Sequence, residues 1–157
     1  MRRLTALALV TIALLSGCAQ TVPFDAAPDA ANPLCAEVAV RLPDVVNNDL
    51  QRRQTNSQGT AAWGDPSSAL LRCGVPVPGP STLLCFKVGS GDDVVYWLLD
   101  PTDDPKMVYT TYGREPATEV IVDREKATPG VVLLDVSKAV AYTKETRKCT
   151  DVEDSLG

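Results

Sequence analysis

Cys18 is the residue of this chain whose chemistry is easiest to predict. It ends the sequence Leu-Ser-Gly-Cys, and it follows an arginine pair and a largely apolar run over residues 4–15. This order is typical of a lipobox, in which the cysteine thiol receives a diacylglyceryl group and the peptide is cut just before it. The apolar run is too short to cross a bilayer. We therefore expect residues 1–17 to be a removable signal peptide and Cys18 to carry a lipid anchor.

Four further cysteines remain after that cleavage. They are Cys35, Cys73, Cys85 and Cys149. An even number in a small exported domain predicts two disulfides, with three possible pairings. We favour Cys73–Cys85, which brackets a turn-rich stretch between two strand-like runs, with Cys35–Cys149, which ties the first helix to the end of the chain. Pairing Cys35 with Cys73 and Cys85 with Cys149 is an alternative, and four separated cysteines would indicate reactive thiols.

Histidine is absent from the sequence. This absence excludes a Ser-His-Asp triad, a Cys-His dyad and a histidine-based metal centre. There is no Cys-x-x-Cys pair either. We therefore predict no metal site and no cofactor, and any catalysis would depend on carboxylates, lysine, tyrosine or serine.

Six side chains close to predicted turns could form a binding site. Tryptophan offers a rigid aromatic face and arginine a bidentate guanidinium group, and both recognise sugars, carboxylates or phosphates. The same residues could instead serve the scaffold, with the tryptophan as a core anchor and the arginines as ion-pair partners of the acidic residues. Both interpretations remain open from the sequence. The six candidates are Trp63, Asp65, Arg72, Tyr112, Arg114 and Glu119.

Composition limits the class of partner. The formal net charge of −5 becomes −7 once the signal peptide and its two arginines are removed. The basic residues form no long run, so we do not expect a nucleic-acid partner. Abundant Ala, Val, Asp and Pro with little Ile and Phe is typical of a GC-rich genome and suggests an actinobacterial source. The remaining chain is long enough for one domain with a single modest core.

The mature chain is predicted to begin with a lipidated tether over residues 18–31. This stretch contains prolines and no hydrophobic period, and residues 19–31 as a flexible coil would span about 20 Å. The folded domain is predicted over residues 32–149. It starts with a helix, because Asn32 can cap it and Pro33 suits the first helical position, and Pro43 ends it. We expect residues 150–157 to be a frayed acidic tail.

Strand signals dominate the middle of the chain. The turn-rich residues 74–80 predict a hairpin between the first two of these strands, and residues 94–99 are predicted to be the central strand. Five runs are predicted as strands, at residues 69–73, 83–88, 94–99, 108–112 and 118–122.

A second helix is predicted after the strands. Asp135 can cap it, and Val136, Ala139 and Val140 would form its apolar side. A helix, four or five strands and a helix, without regular β-α alternation, predict an α+β fold. We expect a small antiparallel sheet of four to five strands, with two helices packed on one face and two disulfides.

Several short motifs occur together between residues 32 and 149. They are Cys35 after Asn-Pro, Ala-Trp-Gly-Asp-Pro at 62–66, Leu-Arg-Cys-Gly-Val at 71–75, Trp97, and Thr-Thr-Tyr-Gly-Arg-Glu-Pro-Ala at 110–117. In combination they resemble the actinobacterial lipoproteins and exported proteins grouped as domain of unknown function 3515. The resemblance implies a location in the cell envelope of an actinobacterium. It carries over no catalytic residue.

These observations favour a lipid-anchored cell-envelope protein on the extracytoplasmic face of the cell membrane. We expect a non-catalytic binding or accessory module for a cell-wall component or a membrane-protein partner. The alternative is an exported carboxylate-dependent hydrolase or transferase acting on cell-wall material, which needs a deep cleft with at least two acidic side chains, one of them desolvated. A carrier of an apolar envelope lipid would instead need an internal cavity lined by residues 94–99.

Overall fold

The computed structural model describes residues 20–101 and 103–150. The predicted signal peptide, the lipid acceptor Cys18 and residues 151–157 of the predicted acidic tail lie outside the described residues. The helices are α1 (Pro33–Arg41) and α2 (Pro129–Val140). The strands are β1 (Val45–Val46), β2 (Leu50–Arg53), β3 (Thr60–Trp63), β4 (Ala69–Val75), β5 (Leu84–Val88), β6 (Val95–Asp100), β7 (Lys106–Thr111), β8 (Arg114–Glu115), β9 (Ala117–Asp123) and β10 (Lys144–Glu145).

Eight of these strands form one antiparallel sheet in the order β1-β2-β3-β4-β9-β7-β6-β5, and β8 pairs with β10. The α+β class, the antiparallel sheet, the two helices and the two disulfides are confirmed. The predicted size of four to five strands is wrong, because the sheet is larger. The strands missing from the prediction carry little signal: β1 has two residues, and β2 reads Leu-Gln-Arg-Arg with no apolar alternation.

Strand β9 separates strands that the sequence placed side by side. The predicted hairpin between β4 and β5 is wrong, because β9, β7 and β6 lie between them. At about 4.8 Å per strand, β4 and β5 are about 19 Å apart. The run predicted to be central, β6, lies next to the edge strand β5. Strand β9 is paired on both sides, and its Val120 and Val122 are fully buried.

The strand order also decides the disulfides. Cys35 bonds Cys73, with Cα atoms 5.5 Å apart, and Cys85 bonds Cys149, with Cα atoms 5.8 Å apart. The favoured pairing of Cys73 with Cys85 and of Cys35 with Cys149 is therefore wrong. Cys73 and Cys85 lie on well-separated strands, whereas α1 packs against β4 and brings Cys35 to Cys73. The chain that follows β10 returns to the edge strand β5, where Cys149 meets Cys85.

One face of the sheet, called here the inner face, builds the core. Its alternate residues, such as Trp63, Leu71, Trp97 and Val120, are buried in the same cluster as side chains of both helices. Helix α1 contributes Val38 and Cys35 to this cluster, and α2 contributes Val132, Val136 and Val140. The inner face is therefore part of the core, whereas the opposite face, called here the outer face, is open to a ligand.

The two helices differ in how well their starts were predicted. The start of α1 is as predicted, since the Asn32 Oδ1 atom accepts a hydrogen bond from the Leu34 backbone N–H at 3.0 Å. Asp135 does not cap α2, because the helix begins six residues earlier at Pro129, and the capping prediction is wrong. The Asp135 Oδ2 atom instead accepts a hydrogen bond from the Asn47 backbone N–H at 2.8 Å.

Residues 20–31 are part of the folded domain. The Val22 N–H donates to Gln54 O at 2.8 Å, and the Asp29 N–H donates to Gly74 O at 3.0 Å. Gly74 has a φ of +93°, and a Cβ atom there would lie 2.3 Å from the Asp29 carbonyl carbon, so only glycine allows this close approach. The prediction of a flexible tether is wrong for these residues. The contacts use backbone groups and small buried alanines, which leave no hydrophobic period in the sequence.

Asp123 ends β9 and stabilises the turn before α2. Its carboxylate accepts a hydrogen bond from Lys126 Nζ at 3.0 Å and another from the Glu125 backbone N–H at 3.1 Å. The hydrogen bond from Lys126 lowers the pKa of Asp123 most, and partial burial opposes it. Because the pKa is lower in the folded state, this carboxylate stabilises the fold above about pH 4. Its contribution is lost as the pH falls through the folded-state pKa.

We therefore expect Asp123→Asn to reduce the loss of stability on acidification. Urea unfolding at pH 7 and pH 3 measures this difference for the variant and for the original chain. Lys126→Gln serves as the matched variant, because it removes the main donor and should flatten the same acid dependence. If Asp123→Asn lost as much stability between the two pH values as the original chain, the role assigned to this carboxylate would be wrong.

Candidate functional site: a groove on the outer face of the sheet

The outer face carries a groove of about 310 Å³ between strands β6, β7 and β9 and the loop at residues 78–83. Its lining combines apolar side chains, hydroxyl groups and two carboxylates. We call it the outer-face groove. Its lining residues are Pro78, Gly79, Pro80, Ser81, Leu83, Leu98, Asp100, Val108, Thr110 and Glu119.

Strand register brings the groove residues together. Thr110 of β7 is paired with Leu98 of β6 on one side and with Glu119 of β9 on the other, and Val108 is paired with Asp100. Side chains at directly opposed positions lie on the same face of a sheet. The overlying loop contains two prolines, Pro78 and Pro80, which lack the N–H needed to join a strand ladder, so it runs outside the sheet.

An ion pair fixes the wall of the groove at Glu119. Arg72 Nε donates to Glu119 Oε1 at 2.7 Å, and the two residues are directly opposed on β4 and β9. The Arg72 guanidinium carbon also lies 5.5 Å from the centroid of the Phe24 ring. The Phe24 N–H in turn donates to Asn56 Oδ1 at 2.8 Å. Glu119 is therefore a carboxylate of fixed orientation, and residues 20–31 help to hold its partner.

A second groove of about 270 Å³ adjoins the first and shares Ser81, Leu83 and Leu98 with it. Tyr112, just beyond β7, lines this part. The Cys85–Cys149 disulfide forms another part of its wall. Three of the six predicted binding residues, Arg72, Tyr112 and Glu119, thus lie on the outer face around these two grooves.

Trp63 and Arg114 belong to the scaffold. Trp63 is fully buried in the core and donates from Nε1 to Pro43 O at 3.0 Å. Arg114 is 5% exposed, and its guanidinium group donates to three backbone carbonyls as well as to Glu145. Burial lowers the pKa of Arg114, and the nearby Glu145 carboxylate opposes that shift. Neither side chain is available to a ligand in the outer-face groove.

Asp65 lies at a corner of the sheet, in the turn between β3 and β4. Its side chain is 82% exposed, and Oδ1 lies 2.9 Å from Arg53 Nη1 on β2. Strands β3, β4 and β9 separate this ion pair from β7, whose Thr110 lines the groove. Asp65 is therefore a surface residue outside the groove.

Sequence reasoning missed most of the groove lining. The sequence does not show which strands lie side by side. Only the strand register shows that Leu98, Asp100 and Thr110 share a face. Alternation within each strand indicates which residues share a side, but it does not tell which side lies under the loop. No group of three or more His, Cys, Asp or Glu residues in the described ranges could hold a metal ion.

In the described part of the chain, no helix is both long and apolar enough to pass through a membrane.

Comparison with known proteins identifies a family. The family described as "Protein of unknown function (DUF3515)" matches residues 4–149, which is nearly the whole chain. No curated protein and no solved structure matches the chain. The chain therefore belongs to the domain of unknown function 3515 family.

Proposed function

We propose that this protein is a lipid-anchored cell-envelope protein, held on the extracytoplasmic face of the cell membrane through Cys18. It works as a non-catalytic binding or accessory module, and the outer-face groove is its binding surface. The observation that carries this proposal is the lining of that groove, where Asp100, Glu119 and Thr110 surround an apolar floor. The lipobox sequence that ends at Cys18 supports the anchor.

The lining indicates the chemistry of the ligand. Carboxylates accept hydrogen bonds, so the groove suits a ligand with hydroxyl, amide or ammonium donors. Tyr112 and the loop prolines offer flat apolar surfaces beside these acceptors. Sugar rings and peptide amines of cell-wall material combine donors with apolar faces, and this supports a wall component as the ligand.

The ion pairs favour binding over acid–base catalysis. Glu119 is held by Arg72 at 2.7 Å, and Asp65 is held by Arg53 at 2.9 Å. Both carboxylates are therefore already engaged by an arginine partner. The carboxylate-dependent hydrolase or transferase therefore has less support. A lipid carrier also has less support, because Val95 and Trp97 are fully buried in the core cluster.

A carboxylate substitution in the groove tests the binding surface. We expect Asp100→Asn to weaken binding of soluble muropeptides about tenfold, since a hydrogen bond to a charged group contributes about 1.5–3 kcal/mol. Isothermal titration calorimetry measures the affinity. The matched control is Asp65→Asn, which neutralises a carboxylate outside the groove and should change the affinity less than about twofold. Equal effects of the two substitutions would contradict the assignment of the groove.

The anchor is tested separately. We expect Cys18→Ala to move the protein from the membrane fraction to the soluble fraction while it stays folded, because the substitution removes the lipid acceptor and leaves the sequence of residues 20–150 unchanged. Ultracentrifugation with circular dichroism measures both properties. Mass spectrometry of the unsubstituted protein should show an added diacylglyceryl group. Membrane partition without such a lipid would contradict the anchoring proposal.

A further inference from the structure

The beginning of the described chain is fixed to one corner of the domain. The Gln20 carbonyl oxygen accepts a hydrogen bond from Arg53 Nη2 at 2.9 Å, and Arg53 also contacts Gly64 O at 3.2 Å and Asp65. Two residues further on, Val22 forms a parallel bridge with Thr55. We call Gln20, Arg53, Gly64 and Asp65 the Gln20 corner.

The position of the predicted lipid acceptor limits the distance to that corner. Cys18 precedes Gln20 by two residues. A fully extended chain covers at most about 3.3–3.6 Å per residue, so Cys18 lies within about 7 Å of Gln20. A lipid on Cys18 therefore cannot lift the domain away from the bilayer, as a flexible tether of thirteen residues would.

We propose that the domain lies directly on the membrane, with the Gln20 corner against the phospholipid headgroups. The inference rests on the proposed function, since it requires the lipid on Cys18. Because the chain between Cys18 and the Gln20 corner is so short, we infer that this corner contacts the bilayer. Arg53 and Asp65 balance each other in charge at the corner. The contact therefore follows from chain length, and we expect it to be insensitive to salt and to anionic lipid.

This placement specifies where the outer-face groove works. Counted across the sheet from β2, strand β9 is three strands away and β6 is five strands away. At about 4.8 Å per strand, the groove lies about 14–24 Å from the strand that carries Arg53. A ligand in the groove is therefore one presented close to the membrane surface.

Neutron reflectometry of the lipidated full chain tests the placement. The protein is bound to a supported bilayer of phosphatidylcholine with one fifth phosphatidylglycerol. We expect its density to begin at the headgroups, with no resolved water layer. A matched variant carries twelve Gly-Ser residues inserted between Ala19 and Gln20, and it should show a water layer of about 19 Å. A water layer of that size in the chain without the insertion would overturn the proposal.

Hydrogen exchange provides a second measurement on the same samples. The backbone amides of Val22 and Asn56, which take part in the contact between residues 20–24 and the β2–β3 connection, should exchange slowly. Exchange at the rate of an unstructured peptide would overturn the proposal. Mass spectrometry distinguishes failure of the anchor from failure of the placement. A chain without lipid on Cys18 overturns both proposals, whereas a lipidated chain with a water layer overturns only the placement on the membrane.

Discussion

Replacing Cys35 and Cys73 together with alanine is expected to lower the free energy of unfolding by about 4 kcal/mol. The disulfide closes a loop between residues 38 apart in sequence, and loop-closure entropy gives about that value. Small domains have a total stability of about 5–15 kcal/mol, so a large fraction is lost. Both cysteines are almost fully buried, and the missing sulfur atoms therefore also loosen the contact between α1 and β4. Urea unfolding followed by circular dichroism measures the change.

The pairing itself is checked on the unsubstituted protein. A non-reducing digest should yield one linked peptide pair that contains Cys35 and Cys73 and another that contains Cys85 and Cys149. The control variant replaces Cys85 and Cys149 with alanine and must still retain the Cys35–Cys73 linkage. A peptide linking Cys73 to Cys85 would contradict the connectivity. A stability loss below about 1 kcal/mol in the Cys35 and Cys73 variant would contradict the energetic role.

Replacing Arg114 with alanine is expected to lower the free energy of unfolding by about 3–5 kcal/mol, the range for breaking a buried charged network. Its guanidinium group donates to Thr143 O at 2.6 Å, Val94 O at 2.7 Å and Ala141 O at 2.9 Å. These bonds join the end of α2 to the start of β6. Without the arginine, three carbonyl groups lose their donor, and each buried unsatisfied group costs about 1–3 kcal/mol. Urea unfolding at neutral pH measures the difference.

Two variants make the Arg114 result specific. Arg114→Lys should recover only part of the stability, because a single ammonium group cannot reproduce the planar array of donors. Arg124→Ala removes an arginine whose side chain is 54% exposed and paired with Asp104, and it should cost less than about 1 kcal/mol. Equal losses of unfolding free energy for Arg114→Ala and Arg124→Ala would contradict the stabilising role assigned to the buried hydrogen bonds of Arg114.

Local signals in the sequence were sufficient where the structure is local. The start of α1, predicted from Asn32 and Pro33, depends on residues a few positions apart. The pairing of β4 with β9 could not be predicted, because β9 lies about fifty residues further along the chain. The disulfide pairing failed for the same reason, since it follows from that strand order.

The candidate site was predictable only in part, because scaffold and binding site use the same residue types. Trp63 and Arg72 both precede turns or lie near them in sequence, yet one is a core anchor and the other faces outward. What separates them is the face of the sheet, which depends on register. The contact of Phe24 with Arg72 could not be predicted from the sequence either, because residues 20–31 contact the rest of the domain mainly through their backbone.

The insertion of β9 between β4 and β7 has a consequence for folding kinetics. Strands β1–β4 and β5–β7 each pair with their neighbours in sequence, and in the sheet of the described residues β9 is the strand that joins the two groups. Folding slows as native contacts become more distant in sequence, so the docking of β9 is expected to be the slow step. Until it docks, β4 and β7 each expose an unpaired edge, which is a template for pairing with another chain. The time that newly made molecules spend open to aggregation is therefore set by how fast residues 117–123 reach their place.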